Sequence, residues 1–252
     1  MIPLADLTAY LDSALKISEF DDYPNALNGL QVENAGEVAK VAAAVDACEA
    51  TILAAVEAGA DLLLVHHGIF WGGLGAVTGP LYRKLRVAIE NGLAIYSAHL
   101  PLDAHPEVGN NALLAEALGL RNHREPFLEV RGREIGVVVE ATINREVLHS
   151  RLEAETHGRV VLAPGGPVST SRIAIVSGGA GSEIGRVAAE GVDTFITGEG
   201  PHWCYTAAEE LGVNLFLAGH YATETYGVKA LAEHLAERFR LSWEFIDHPT
   251  GL

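Results

Sequence analysis

The sequence has few cysteines and no long apolar segment. Its 252 residues include two cysteines, Cys48 and Cys204, and their separation argues against a disulfide framework or a cysteine-type zinc site. The N-terminus has no basic segment followed by an apolar one, and no apolar run is long enough to span a membrane. We therefore expect a cytoplasmic protein with no membrane partner.

Positive charge is also scarce. Lys and Arg number 17 against 33 Asp and Glu, which gives a formal net charge of -16 at pH 7. Proteins that bind nucleic acid or an anionic membrane need clustered cations to contact phosphates. No nucleic-acid partner is therefore expected, whereas an acidic surface is compatible with bound cations.

The apolar residues predict a mixed α/β fold. They make up 49% of the chain, which is long enough to bury about three quarters of its unfolded surface. Apolar runs bounded by turn residues predict strands, and apolar residues three or four positions apart predict helices. In the first half the predicted strands are 29–32, 41–47, 61–65 and 93–98, and the predicted helices are 49–58, 81–91 and 110–118.

The same order of elements recurs from about residue 131 onwards. GADLLLVHHG at 59–68 matches GVDTFITGEG at 191–200, and AIYSAHLPLD at 94–103 matches LFLAGHYATE at 215–224. Two similarly patterned βαβ segments would explain short matches of this kind. A histidine followed four residues later by a carboxylate recurs as well, and this favours an internal duplication into lobes 1–127 and 128–252.

Two adjacent histidines, His66 and His67, end the apolar run LLLV. Ligands bind near the carboxyl ends of strands in open α/β sheets, and imidazole is a common metal ligand. Consecutive strand residues point to opposite faces, so we expect the strand to end before the histidines and the backbone to turn at Gly68. Both imidazoles would then face one cleft. If no other ligand converges there, the pair is part of a polar loop.

The two histidine–carboxylate pairs are predicted to differ in conformation. His220 and Glu224 lie on one face if their segment is helical, so both would reach the same ion. Pro101 lies between His99 and Asp103 and predicts that this copy is not regular helix. Asp103 would then be a ligand, with His99 beside it. Three histidines together with Asp103 and Glu224 are too many donors for one open tetrahedral site. The set therefore favours two ions that share a bridging carboxylate.

Other polar residues have weaker patterns. His202 and Glu199 follow the strand that matches the histidine-bearing one, and they are candidates to contact substrate or ligands; core packing beside Trp203 is the alternative for His202. The glycine-rich stretch 177–183 matches neither dinucleotide-binding nor P-loop signatures, so a tight turn is expected there.

Taken together and in this order, GLQV, ADLLLVHHG, SAHLPLD, SGGAGS, DTFITGE and AGHYATE resemble the NIF-three-like family of dinuclear-metal proteins. Its members are often labelled GTP cyclohydrolase I type 2 homologues. The resemblance covers nearly the whole chain and corresponds to the short form without an inserted middle domain. It implies two related, intertwined α/β lobes with mixed sheets, metals in the cleft between the lobes, and a ring-shaped homohexamer.

The resemblance also implies a ligand set for two divalent ions per chain. His67 and Asp103 would hold one ion, His66 and His220 the other, and Glu224 would bridge them. Nitrogen and oxygen donors do not distinguish zinc, manganese, iron, cobalt and nickel. This chain has HHG where many relatives have HHP, which predicts a looser turn at the strand end.

The predicted function is a metal-dependent hydrolase acting on a nucleotide-like substrate. If the family label describes the chemistry, metal-activated water would attack the imidazole-ring carbon of a purine nucleotide. His99 and His202 are the candidate proton shuttles. The alternative is a non-catalytic metal-binding scaffold or regulatory protein.

Overall fold

The computed structural model describes residues 1–252 and contains thirteen strands and ten α-helices. The strands are β1 (Ile2–Pro3), β2 (Gly29–Val32), β3 (Glu37–Val38), β4 (Lys40–Asp46), β5 (Leu62–His67), β6 (Ala94–Ser97), β7 (Arg124–Val130), β8 (Arg133–Glu140), β9 (Val161–Pro164), β10 (Arg172–Val176), β11 (Thr194–Thr197), β12 (Asn214–Leu217) and β13 (Ser242–Phe245). The helices are α1 (Leu4–Ala14), α2 (Glu49–Glu57), α3 (Gly79–Glu90), α4 (Leu100–Asp103), α5 (Asn110–Ala117), α6 (Arg145–Thr156), α7 (Ile184–Ala189), α8 (Trp203–Leu211), α9 (His220–Thr223) and α10 (Thr225–Phe239).

The predicted mixed α/β class is confirmed, and the predicted first-half elements are present with ends within two residues. Two local predictions are wrong. β5 does not end at Val65 but continues through both histidines, and Pro101 lies within α4. Proline is tolerated there because it stands in the first turn, where backbone N–H groups have no intrahelical partner. No helix has the length and apolar composition needed to cross a bilayer.

The chain folds into two compact units that are not consecutive in sequence. The first contains residues 1–102 and 227–248, and the second contains residues 103–226 and 249–252. The predicted lobes 1–127 and 128–252 follow the sequence repeats and stay a prediction, whereas each compact unit contains residues from both. Residues 103–127 belong with the second unit, and most of α10 with β13 belongs with the first.

The first unit is built on a five-stranded sheet in the order β13-β4-β5-β6-β2. β13, β4, β5 and β6 are parallel, and β2 is antiparallel to β6. Leu62 to Val65 are fully buried in β5, which explains why this strand is a continuous apolar run rather than an alternating one. Ile52 of α2 and Ala88 of α3 pack with Val65 in the core on one face.

The second unit contains a six-stranded sheet in the order β7-β8-β10-β11-β12-β9. β10, β11 and β12 are parallel, whereas β8 and β9 pair antiparallel to β10 and β12. Leu114 of α5 and Leu152 of α6 pack against Ile175 and Phe216. Both units thus contain three adjacent parallel strands with an antiparallel neighbour that precedes them in the chain, as an internal duplication predicts.

The turn after β5 is tightly held rather than loose. A Cβ atom on Gly68 would lie 2.2 Å from Nε2 of Gln31, so glycine provides space for this side chain. Gln31 Oε1 accepts a hydrogen bond from the N–H of Ile69 at 2.8 Å, and Nε2 donates to the carbonyls of Ala26 and Leu27 at 3.0 Å. The HHG sequence therefore lets Gln31 connect the strand end to the segment before β2.

Replacing Gly68 with Ala should displace Gln31 and lower the free energy of unfolding by about 1 to 3 kcal/mol, because the partly buried hydrogen bonds of the Gln31 side chain would be lost. Gly72→Ala is the matched control, since a Cβ there meets nothing within 4 Å. Urea unfolding of both variants measures the difference. In a chain that already carries Gln31→Ala, the Gly68→Ala change should lower the free energy of unfolding little further. A loss as large as in the unmodified background would contradict this explanation.

Candidate metal centre

Three histidines cluster at the carboxyl ends of β5 and β6 in the first unit. Ligand atoms of His66, His67 and His99 all lie within 4.8 Å of one another. Their ring centroids are 4.8 to 5.6 Å apart. β5 keeps its pairing with β4 up to His67, whereas the last register pair with β6 is Val65 with Ser97. Both imidazoles therefore lie where β5 has a neighbouring strand on only one side.

Each of these imidazoles contacts a hydrogen-bond acceptor through Nδ1. The acceptors are the carbonyl of Ala98 for His66 at 2.9 Å, Asp46 for His67 at 2.9 Å, and Asp22 for His99 at 3.0 Å. Carbonyl and carboxylate oxygens only accept, so Nδ1 must carry the proton and a neutral ring keeps its lone pair on Nε2. Histidines that bind metals typically have this second hydrogen bond.

Asp22 orients His99 from the loop that follows α1, and the sequence did not predict it. Its side chain is 5% exposed and also accepts hydrogen bonds from Asn28 and from the N–H of Leu100. Burial raises the pKa of Asp22, but the hydrogen bond and charge of His99, with the other donors, outweigh burial and lower it below its usual value. Asp22 thus remains a carboxylate. Its DDYPN context resembles an ordinary turn, which hides this role in the sequence.

Two aromatic side chains lie beside the histidine cluster. The ring of Trp71 is 4.6 Å from that of His99 and 4.9 Å from that of His67, measured between centroids. Tyr23 contacts Trp71 with its edge, at 6.5 Å between centroids. Trp71 is 39% exposed and Tyr23 is 47% exposed, so both rings cover the cluster while keeping a surface open to solvent. Neither residue was predicted, because nothing in the local pattern links them to the histidines.

The second unit carries its own histidine–carboxylate pair. His220 begins α9 and Glu224 follows that helix, with 3.1 Å between His220 Nε2 and Glu224 Oε1. The predicted convergence of this i, i+4 pair is confirmed. Glu224 is 2% exposed. Nδ1 of His220 lies 2.9 Å from Oε1 of Glu199, so this imidazole repeats the arrangement seen in the first unit.

The two carboxylates perturb His220. Burial lowers the pKa of its imidazole, but the hydrogen bonds and charges of Glu224 and Glu199 outweigh burial and raise the pKa to about 9. A strongly anionic environment of this kind favours any cation in the place of the proton. Glu199, predicted only as a candidate near the site, thus orients His220. His202 is exposed at the start of α8, and its side chain makes no hydrogen bond.

Asp103 is the last residue of α4 and is almost fully buried. Its Oδ1 accepts hydrogen bonds from Asn110 Nδ2 at 2.8 Å and from Ser177 Oγ at 3.1 Å. Two neutral donors on one oxygen fix the carboxylate without neutralising it. This is the environment expected of a carboxylate that binds a cation.

Gly178, next to Ser177, shapes the space around Glu224. Its φ of +67° lies in the left-handed region, and a Cβ would be 2.3 Å from Glu224 Oε1 and 3.4 Å from His220 Nε2. The predicted tight turn at 177–183 is confirmed, and glycine also allows the backbone to approach the carboxylate closely. Imidazole nitrogens, and in the second unit carboxylate oxygens, are donors that suit a divalent transition metal in each unit taken by itself.

Comparisons with known proteins agree with this arrangement of elements. The family model described as Duf34/NIF3 (NGG1p interacting factor 3) matches residues 2–250. A GTP cyclohydrolase 1 type 2 homolog from Deinococcus radiodurans is 43% identical over 251 residues, covering 98% of this chain and 94% of the relative. One from Pyrococcus horikoshii is 45% identical over 253 residues, covering 98% of each chain.

The fold is also that of a solved protein. The crystal structure of TTHA1606 from Thermus thermophilus superposes with a TM-score of 0.90 at 43% sequence identity, covering 100% of both chains.

The Gly178→Ala variant should weaken metal binding about tenfold or more, because the new Cβ displaces Glu224 from its position beside His220. Gly185→Ala in α7 is the matched control, since a Cβ there meets nothing within 4 Å. Metal content after dialysis, measured by elemental analysis, distinguishes the two. Equal metal content in both variants would show that this approach of backbone to Glu224 is unimportant for binding.

Proposed function

The chain belongs to the Duf34/NIF3 family, and on that basis we propose that it binds two divalent metal ions and hydrolyses a nucleotide-like substrate. The proposed ligands are His67 and Asp103 for one ion and His66 and His220 for the other, with Glu224 bridging. Ions in such a site act as Lewis acids and lower the pKa of water.

The observation that carries this proposal is that four imidazoles are held by a hydrogen bond at the same ring nitrogen. His66, His67, His99 and His220 each have Nδ1 on an oxygen acceptor. A histidine with a purely structural role can form its hydrogen bond through either ring nitrogen. Four histidines that all use Nδ1 are expected where Nε2 of each serves the same purpose, such as binding a metal. Zinc, manganese, iron, cobalt and nickel all suit these donors.

His99 is the residue we propose for proton transfer. Asp22 holds its Nδ1, so the lone pair on Nε2 is available to take a proton and return it. The carboxylate would stabilise the imidazolium that forms, as buried aspartates do for catalytic histidines elsewhere. His202 is less suited to this role because no group orients its exposed ring.

The aromatic pair Trp71 and Tyr23 supports a substrate with a planar ring. Exposed aromatic surface beside a polar cluster favours offset or edge contacts with another ring system. The names of the similar proteins point to the same class, since GTP contains a purine. We propose that the base of a nucleotide contacts Trp71 while the reacting group lies near the histidines. A homohexamer remains the predicted assembly.

The Glu224→Ala variant should retain at most about one ion per chain, because a bridging carboxylate is needed to offset the repulsion between two neighbouring cations. Glu224→Gln removes the same negative charge while keeping a side chain of similar shape. Glu237→Ala, at an exposed position of α10, is the control. Elemental analysis gives the stoichiometry; two ions per chain in Glu224→Ala would disprove the bridging role.

Hydrolysis is tested by incubating metal-loaded protein with a panel of nucleotides and phosphoesters and following product by chromatography. We expect turnover by the unmodified chain, turnover at background level for His66→Ala, and unchanged turnover for His202→Ala. If no member of the panel reacts faster than with His66→Ala, the alternative of a non-catalytic metal-binding scaffold or regulatory protein is favoured.

A further inference from the structure

A second candidate site is a cavity of about 350 Å³ that lies entirely within the second unit. Its volume is at the lower end of the range for small-molecule sites, which is roughly 300 to 1,000 Å³. The ionisable residues that line it are Asp103, His105, Arg121, His123, Arg124 and Glu134. Two guanidinium groups and two imidazoles thus meet in one cavity of a chain that is strongly acidic overall.

The segment between α5 and β7 supplies most of this positive charge. Arg121 and His123 lie in that connection, and Arg124 is the first residue of β7. His105 comes from the turn after α4. Its Nδ1 accepts hydrogen bonds from the N–H groups of Glu107 and Val108 at 3.2 Å, so the ring proton is on Nε2. His105 is therefore a hydrogen-bond donor through Nε2.

The two arginines differ from most others in the chain because neither forms an ion pair or a side-chain hydrogen bond in the structure. Five other arginines pair with carboxylates: Arg83, Arg86, Arg145, Arg172 and Arg186. Arg121 and Arg124 pair with no carboxylate, although the chain has 33 acidic residues. Their guanidinium groups remain available for an anion from solution.

The carboxylates at the cavity do not neutralise these arginines directly. Asp103 Oδ1 is directed to Asn110 and Ser177, and Glu134 is exposed. Guanidinium groups match phosphate oxygens in a bidentate geometry, and charge-assisted hydrogen bonds of this kind are strong. We propose that the cavity binds the phosphate group of a small phosphorylated molecule through Arg121 and Arg124.

This site does not depend on the proposed hydrolase activity. All of its residues belong to the second unit, and the proposed contacts of the arginine side chains with phosphate require no metal ion. It shares Asp103 with the proposed metal ligands, so an anion in the cavity would lie beside a metal-binding residue.

The test is isothermal titration of inorganic pyrophosphate into the full chain, first after chelator treatment and then with metal restored. In the metal-free arm no ion can hold the phosphate, so binding there reports on the cavity alone. We expect saturable binding that weakens at least about tenfold in the double variant Arg121→Ser with Arg124→Ser. Arg159→Ser, which removes an exposed arginine of the same unit outside the cavity, should leave binding unchanged.

A substitution that should strengthen pyrophosphate binding gives a sharper test than one that weakens it. Glu134→Gln should strengthen pyrophosphate binding by about two- to fivefold, because it removes an exposed negative charge that repels the ligand. No saturable binding to the metal-free chain, or equal binding by the double variant and the Arg159→Ser control, would overturn the proposal. Succinate bound as tightly as pyrophosphate would overturn the assignment to phosphate. Loss of turnover or of metal with intact pyrophosphate binding would count against the hydrolase alone.

Discussion

Each candidate metal-binding histidine of the two units depends on one hydrogen bond. A neutral imidazole has a single N–H and a single lone pair, so an acceptor at Nδ1 determines what Nε2 can do. The acceptors come from different parts of the fold: a backbone carbonyl after β6, a carboxylate at the end of β4, one in the loop after α1, and one after β11. Strand register matters directly, because Asp46 is the cross-strand partner of His67. Any shift in the register of β4 against β5 would therefore break the hydrogen bond to the His67 imidazole as well as the pairing of the two strands.

The parts of this fold that sequence predicts are those with a local physical cause. The run before His66 is apolar without alternation because both faces of β5 are covered, and the pair His220 and Glu224 meets because helical geometry brings positions i and i+4 together. Internal repetition adds long-range information, since a second copy with the same strand order constrains the first. These signals were sufficient for the fold class and for the convergence of that pair.

Residues that act through long-range contacts were not predictable in this way. Asp22 and His99 are separated by 77 positions, and Trp71 reaches the cluster from a glycine-rich loop without periodicity. The end of β5 was misjudged for a different reason. The pairing with β6 ends at Val65 while that with β4 continues to His67, so the strand extends through both histidines on one partner alone. The rings of the consecutive residues His66 and His67 nevertheless lie close together, with 4.8 Å between their centroids.

The exchange of segments between the two units has a consequence for synthesis of the chain. β13 is an edge strand of the first unit, although it lies at residues 242–245, and it pairs with β4 near the beginning of the chain. During translation the first unit therefore cannot complete its sheet until residue 245 has left the ribosome. The second unit has nearly all of its residues by position 226. Nearly all residues of the second unit are thus synthesised before β13, the strand that completes the sheet of the first unit.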